Sequence, residues 1–557
     1  MRTLKTCVTL LIILSAQALS AQEATSSVIF TKPTMRWLWG GFGFHNSEAT
    51  MSAIMTDEFR DQRVLKSFRE ISPTYSRVFA GYADWTKEAM DRFADYYDAT
   101  FRQAGTILYV VPGRMPVITE DFNIKDYCEK VAGNLEYLIK RRNCTGIRYY
   151  CATNELSVGY TYAWFSKHMD LYLRINKELQ AAFLRHGLDI GLMTPDASGF
   201  EKLPEMKWAM ENMNELTDTY CWHYYAANMK PDAPELYDDL HAALSGLVRD
   251  AIKREKRVSL GEFGFAGKKV DYKHWQMRDD THQSYRDADT DYTRITAISR
   301  LEMALAALNS GCISAVNWTF CDYPDPFLRE NGDTPEAKAR YDVARFSGFG
   351  LDIRYNKWGL FRWCDDDKDY SSYADLYTMG YFAKLFRKGG RVLPWTSEDS
   401  SLRCGGITNP DGSVSMVIIN WGEGKEINVA LPQESSKPFR IYEYDSANPP
   451  FNKFNDLQPS KGTVQAADGS LKVKVPARSV TFLTSDYVDR APSKVAGIRF
   501  RNGLLTWKPS KDREHVYYRI FKNGEQIAST VGTSLQIGVK GDFKVISVDR
   551  WGNTAAR

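Results

Sequence analysis

Two glutamates stand out by what precedes them. Glu155 ends the run Ala152-Thr153-Asn154-Glu155 and Glu262 sits in Gly261-Glu262-Phe263, each just after a short apolar stretch. Two carboxylates held face to face can share one reaction. The protonated one gives its proton to a leaving oxygen, while the ionised one attacks the carbon or activates water. That is the chemistry of glycosidic-bond hydrolysis. One group needs partial desolvation and a nearby negative charge to keep its proton near neutrality, and the other needs cationic or hydroxyl donors to stay ionised. Arg77 and the Tyr225 hydroxyl of His223-Tyr224-Tyr225 are suitable donors for such a pair. Once the attacking carboxylate is covalently bound its charge is gone, and the other carboxyl can release its proton and serve as base.

The elements that would position this pair read as strand and helix in alternation. Strand-like runs are Trp37 to Phe42, Tyr75 to Phe79, Ile107 to Val111, Ile147 to Ala152, Ile190 to Thr194, Thr219 to His223, Val258 to Leu260 and Ala315 to Trp318. They are short, apolar and mostly unalternating, as strands buried on both faces of a parallel sheet are. Helical periodicity fills the gaps: Ile124 to Arg142, Trp164 to Arg185 with Gly187 as stop, Pro234 to Lys256, and Thr290 to Asn309 before Gly311. Eight strands alternating with helices predict a (β/α)8 barrel, an open doubly wound sheet being the alternative. Catalytic groups of such barrels lie at the C-terminal strand ends. Glu155 and Glu262 occupy the ends of the fourth and seventh strands, across the barrel from each other. Arg77 ends the second, His223-Tyr224-Tyr225 the sixth and Trp318 the eighth. Asp196, beyond the fifth, is a further carboxylate without a partner motif. Trp37, Trp39 and Trp85 serve packing as readily as sugar contact.

In this order, Asn154-Glu155 after strand four and Gly261-Glu262 after strand seven resemble the clan A glycoside hydrolases. The resemblance spans Met35 to Arg387. It implies a retaining enzyme with Glu155 as acid/base and Glu262 as nucleophile. It further implies that Asn154 contacts the sugar 2-hydroxyl, that Arg77 and Tyr225 attend the nucleophile, and that Trp318 floors the sugar site. His223 is a substrate-binding candidate or a satisfied barrel histidine. Val475-Pro476-Ala477-Arg478-Ser479-Val480 is similar to the last strand of the sandwich that accompanies families 30, 39 and 51. Leu156 stands where many members have Pro, and Val111-Pro112-Gly113 where family 5 members carry a His, so no family is assigned.

After Leu376 to Arg387 and Gly389-Gly390, alternating strands begin: Leu402 to Ile407, Ser413 to Asn420, Ile427 to Leu431, Phe439 to Tyr444 and Leu471 to Val475. They predict a β-sandwich over 391–490, with Ser27 to Phe30 able to add a strand. Residues 491–557 predict a fibronectin type III-like module around Trp507 and Tyr517-Tyr518, with a hairpin at Lys522-Asn523-Gly524. Arg2 and Lys5, the apolar run Val8 to Leu14 and small residues to Ala21 form a signal-peptide pattern over 1–21, which predicts export to the periplasm or beyond. The 557 residues, 43% apolar and 25% charged, are enough for several globular domains. Without Arg2 and Lys5 the net charge drops from +3 to +1, which gives no electrostatic footprint for nucleic acid. The eight cysteines beyond Cys7 contain no CxxC and read as buried thiols more readily than disulfides. Asp365-Asp366-Asp367 reads as an acidic loop rather than a calcium site. No HExxH, Gly-x-Ser-x-Gly or phosphate-binding loop is present. The expected partner is a carbohydrate substrate, and the two-step reaction needs neither cofactor nor metal. Phe320 to Tyr373 is too long for a simple loop and is expected to wall the site. A non-catalytic glycan-binding protein on the same barrel is the alternative function.

Overall fold

The computed structural model describes residues 26–33, 38–50, 55–112, 122–156, 167–227, 235–267, 291–324, 355–356, 358–362 and 372–555. The signal-peptide segment, Trp37, Asp365 to Asp367 and most of the wall after the eighth strand lie outside them.

One strand, β1 (Ser26–Phe30), precedes the barrel. The barrel strands are β2 (Gly41–Phe44), β3 (Tyr75–Phe79), β4 (Ile107–Val111), β5 (Ile147–Tyr150), β6 (Gly191–Ser198), β7 (Thr217–Ala227), β8 (Arg257–Gly267) and β9 (Ser314–Asn317). They form one parallel sheet in the order β2-β9-β8-β7-β6-β5-β4-β3. The two edges meet through a parallel bridge between His45 and Arg77, with Asn46 N–H donating to the Arg77 carbonyl at 2.9 Å and Thr74 N–H to the Phe42 carbonyl at 3.2 Å. The barrel is nearly closed, with this bridge joining its two edges. All eight expected strands are present. The first begins later than the sequence suggests, because Trp39 pairs instead with Gly390 and its indole donates to the Phe386 carbonyl at 3.2 Å. That tryptophan is packing.

Strand side chains alternate between faces, and the barrel uses both. Outward residues such as Val78, Leu108, Val110, Leu192, Trp222 and Leu260 join the core shared with the helices. Inward residues Tyr75, Tyr109, Val111, Cys151, Met193, Cys221 and Val316 make a separate plug inside the barrel. Two residues beyond Tyr75 is Arg77, and two and four beyond Cys221 are His223 and Tyr225. Period two therefore puts these polar groups on the inward face, one layer above the apolar plug. Glycine is required where the layers meet. A Cβ on Gly261, just before Glu262, would stand 2.1 Å from Cys221 Sγ and 2.9 Å from the Tyr109 hydroxyl.

The helices used below are α1 (Leu65–Ile71), α2 (Lys87–Ala99), α3 (Ile124–Glu136), α4 (Met169–Arg185), α5 (Leu203–Asn212), α6 (Glu235–Ile252), α7 (Asp291–Ser310) and α8 (Asp375–Leu385). Thr86 and Asn123 cap α2 and α3 by accepting backbone N–H groups at 3.2 and 3.1 Å. The periodicity read through to Arg142 ends as a π-helical turn, Tyr137–Arg141. Gly187 and Gly311 take positive φ after α4 and α7, as helix stops do.

Beyond the barrel, a four-stranded sheet faces a six-stranded one. In the first, β1 runs parallel to Lys425–Ala430 and antiparallel to Trp395–Thr396, so the N-terminal strand does complete the sandwich. The strand Val414–Asn420 differs from its expected alternation, being buried at every residue. The reason is that the six-stranded sheet is covered on both faces. Met416 and Ile418 enter the sandwich core, while Val417 and Ile419 enter the barrel core. For the same reason α7 is buried along most of its length.

The C-terminal unit pairs two three-stranded sheets around Trp507, whose ring meets Tyr518 edge-on at 5.5 Å. Asn523 and Gly524, both at positive φ, turn its hairpin. A buried ionic cluster anchors this unit. Lys66 of α1 reaches Glu70 and Asp456 at 2.7 Å each, Arg519 reaches Asp456 at 3.1 Å, and the Tyr517 hydroxyl donates to Glu70 at 3.2 Å. Barrel, sandwich and C-terminal unit each contribute. Removing one partner of a buried ion pair leaves an uncompensated charge. Lys66→Ala is therefore expected to destabilise the folded chain by about 3–5 kcal/mol. Urea unfolding followed by tryptophan fluorescence would show it; an unchanged midpoint would mean that the cluster contributes nothing.

Candidate active site

Arg77, Asn154, Glu155, Asp196, His223, Tyr225 and Glu262 come together at the top of the plug, while Tyr224 packs outward on Phe200 and Trp222. Arg77, on β3, is buried with no exposed surface. Its Nη1 donates to Glu262 Oε2 at 2.6 Å and contacts His45 Nδ1 at 3.1 Å, and its Nη2 donates to Asn154 Oδ1 and lies 3.5 Å from Asp196 Oδ2. The other Glu262 oxygen, Oε1, accepts from the Tyr225 hydroxyl of β7. His223, two residues before Tyr225 and so on the same face, places Nδ1 3.3 Å from Glu155 Oε1 and 3.9 Å from Glu262 Oε2. Its Nε2 is 2.9 Å from Asp196 Oδ1. One oxygen of Glu155 and one of Glu262 lie within 4.8 Å of each other and of a His223 nitrogen. The Glu155 side chain is 13% exposed and that of Glu262 6%, so the first is the more open to an incoming molecule.

Burial pushes the Glu262 carboxyl up from its ordinary range. Arg77 and His223, with the Tyr225 hydroxyl, act against that, while Glu155 adds to it. His223 goes the opposite way from an ordinary buried histidine. Burial opposes its charge, but Asp196 and Glu262 outweigh burial and push it up to about 10. Asp196, buried as deeply, is held below the usual carboxylate range because His223 and Arg77 outweigh its desolvation. His45 is held neutral by burial and by the cations Arg77 and His223. Arginine only donates, so Nδ1 of His45 is the acceptor and its proton is on Nε2.

Trp318 follows β9, half-buried, with the His45 ring stacked 4.3 Å away and Phe79 edge-on at 5.8 Å. From the long segment after it, Trp358 returns to meet the Tyr225 ring at 6.0 Å. Trp85 instead packs on Phe93 and Tyr82, away from these residues.

Three residues of the site carried little or no sequence signal. Asp196 was legible only as a carboxylate after the fifth strand. His45, in Phe44-His45-Asn46, could have been found as the polar end of the first strand. Tyr109, the inward neighbour of Val111 by period two, places its hydroxyl 3.3 Å from Asp196 Oδ1 and from the Gly261 carbonyl. By residue type, Asp196, Cys221 and His223 could hold a metal, as could Glu155, His223 and Glu262. The separations argue for shared protons instead. Both Cys221 Sγ and His223 Nε2 lie 2.9 Å from the same oxygen, Asp196 Oδ1, and the second set already holds the Arg77 guanidinium at 2.6 Å. The seven described cysteines beyond the N-terminus are all buried.

No protein-family model matches the sequence. Solved structures do match the fold. The chain is 14% identical to a glycoside hydrolase family 30 subfamily 8 xylanase from Clostridium acetobutylicum, with 82% of this chain and 99% of that one covered and a TM-score of 0.52. It is 13% identical to the catalytic domain of a family 30 xylanase C from Talaromyces cellulolyticus, with coverage of 82% and 99% and a TM-score of 0.53. A thermostable family 51 α-L-arabinofuranosidase from Thermotoga petrophila RKU-1 is 12% identical, with coverage of 83% and 100% and a TM-score of 0.54. At such identities the likeness is one of fold. Among the described residues no helix is long and apolar enough to cross a membrane. The chain shares its fold with these family 30 and family 51 enzymes.

Proposed function

We propose that this chain is an exported, retaining β-glycoside hydrolase acting by double displacement on a β-linked oligo- or polysaccharide. The observation that carries this reading is the spacing of the two glutamates. Their facing oxygens lie within 4.8 Å. Inverting enzymes hold their carboxyl groups about 6.5–9.5 Å apart to admit a water, whereas retaining ones hold them about 5–5.5 Å apart.

In the first step an oxygen of Glu262 attacks the anomeric carbon. The bond to the leaving oxygen breaks, and that oxygen takes the Glu155 proton. In the second step a water gives its proton to Glu155 and attacks the same carbon, and Glu262 departs as a carboxylate. Two inversions give retention. Arg77 and Tyr225 hold Glu262 as an anion aimed at the sugar. Because Arg77 occupies Asn154 Oδ1, the amide Nδ2 of Asn154 is the group offered to a substrate oxygen, and the 2-hydroxyl is the one next to the reacting carbon. Trp318 gives an apolar ring face suited to pyranose C–H groups, and His223 borders the sugar from the Glu155 side.

Residues 1–21 act as the export signal in this reading, 22–390 form the catalytic barrel, 391–490 the sandwich, and 491–557 a fibronectin type III-like module. The sugar itself is set by loops beyond the strand ends. The same fold carries proteins described as a xylanase and as an arabinofuranosidase.

The test is a panel of aryl β-glycosides and polysaccharides. Glu262→Ala is expected to be inert. Glu155→Ala is expected to lose about 10²–10⁴ in rate on substrates with poor leaving groups, and on substrates whose aglycone leaves unaided, where the second step is limiting, azide should restore turnover by taking the place of the water. Proton NMR of the first-formed product should show the substrate's own anomeric configuration; the opposite anomer would sink the retaining mechanism. If the wild type is as inert as Glu262→Ala across the whole panel, the barrel binds glycans without cleaving them.

A further inference from the structure

Asp196 takes no part in the two steps above, yet it is among the most deeply buried groups of the site, with no exposed surface. Its two carboxylate oxygens serve different neighbours. Oδ2 accepts the backbone N–H of Glu155 at 3.1 Å, and the Asp196 carbonyl accepts the N–H of Leu156 at 3.3 Å. This clasp has a visible consequence. Glu155 has φ 51° and Asp196 φ 62°, both in the left-handed region. There a side chain crowds the backbone, and the conformation persists only where its surroundings hold it. Two such residues, on neighbouring strand ends, hold each other.

The other oxygen, Oδ1, meets His223 Nε2 at 2.9 Å, Cys221 Sγ at 2.9 Å and the Tyr109 hydroxyl at 3.3 Å. His223 Nε2 faces Asp196 as an ion-pair contact, and Nδ1 is the ring atom that faces Glu155 Oε1 at 3.3 Å and Glu262 Oε2 at 3.9 Å. The ionisable groups around the imidazole are thus Asp196, Glu155 and Glu262, with Arg77 bound to the last and neutral His45 beyond it.

We infer that Asp196 is the positioning residue of this site: it sets the backbone conformation of Glu155 and fixes the His223 imidazole between the two glutamates. The inference rests on the reading of Glu155 as acid/base. A His223 held this way sets Nδ1 against Glu155 Oε1, so the carboxyl that must give and take the proton is aimed through both its backbone and its side chain. Asp196 balances the imidazolium, so the pair adds no net charge between the two glutamates.

Two variants separate the tasks. Asp196→Asn keeps an acceptor for the Glu155 N–H but removes the negative charge, and Asp196→Ala removes both. In the full chain with ¹⁵N-labelled histidine, the His223 signal is identified by its loss in His223→Gln. The wild-type ring should stay cationic until pH approaches about 10. In Asp196→Asn it should become neutral at least one pH unit lower. For kinetics, two glycosides of one accepted sugar are compared. The kcat/KM for an alkyl aglycone, which needs a proton from Glu155, should fall about 100-fold in Asp196→Asn. The kcat/KM for the 2,4-dinitrophenyl glycoside, whose aglycone leaves unaided, should be retained. Asp196→Ala should be worse than Asn on the alkyl substrate. An unmoved His223 titration, or equal losses on both glycosides, would overturn the inference. If no glycoside is cleaved by any form, the hydrolase reading fails, and the NMR titration still decides whether Asp196 holds His223.

Discussion

A buried guanidinium organises the mouth of this barrel. Arg77 touches groups carried by four other strands or their ends: His45 after β2, Asn154 after β5, Asp196 on β6 and Glu262 on β8. Taking such a cation out of water is costly unless anions and acceptors surround it closely. The barrel can supply them only if it closes, since the bridge between His45 and Arg77 is also the bridge that joins β2 to β3. Closure and site are thus one constraint. The charges also balance locally. Arg77 and His223 are the cationic groups, facing Asp196, which is held below the usual carboxylate range, and Glu262, which is paired with Arg77. Glu155 is the remaining ionisable carboxyl of the group, and in the proposed reaction its proton is the one that moves.

Much of this was legible from period and position. Short apolar runs gave the eight strands because strands buried on both faces need no polar alternation. Strand ends then located Arg77, Asn154, Glu155, His223, Tyr225, Glu262 and Trp318, which the structure gathers into one site. The residues that escaped share a cause. Tyr109 and His45 matter through what they touch across the barrel, and the chain around them, though it can place His45 at a strand end, records no such contact. Asp196 looked unpartnered for the same reason: its partners are the Glu155 backbone, His223 and Cys221, all far away in sequence. Val414–Asn420 departs from the alternation expected of a half-exposed strand because its second apolar face is covered by the barrel rather than by water. Sugar preference is a different matter. The charged layer sits at the strand ends, whereas barrel enzymes vary their specificity through the loops beyond them.

The C-terminal unit has a physical connection to this layer. Its Tyr517 and Arg519 join Lys66, Glu70 and Asp456 on helix α1 and the sandwich loop. Helix α1 is the element between β2 and β3, and Ser72, in the left-handed conformation, ends it three residues before β3 begins at Tyr75. His45 and Arg77, the two sides of the closing bridge, therefore lie at either end of the segment that carries α1. A unit bound to α1 through a desolvated ion cluster resists displacement of that helix, because any shift exposes or unpairs charge. Bracing the crossover from β2 to β3 steadies the bridge on which Arg77 depends. The module far from the cleft in sequence is thus tied, through one helix, to the cation on which the site is built.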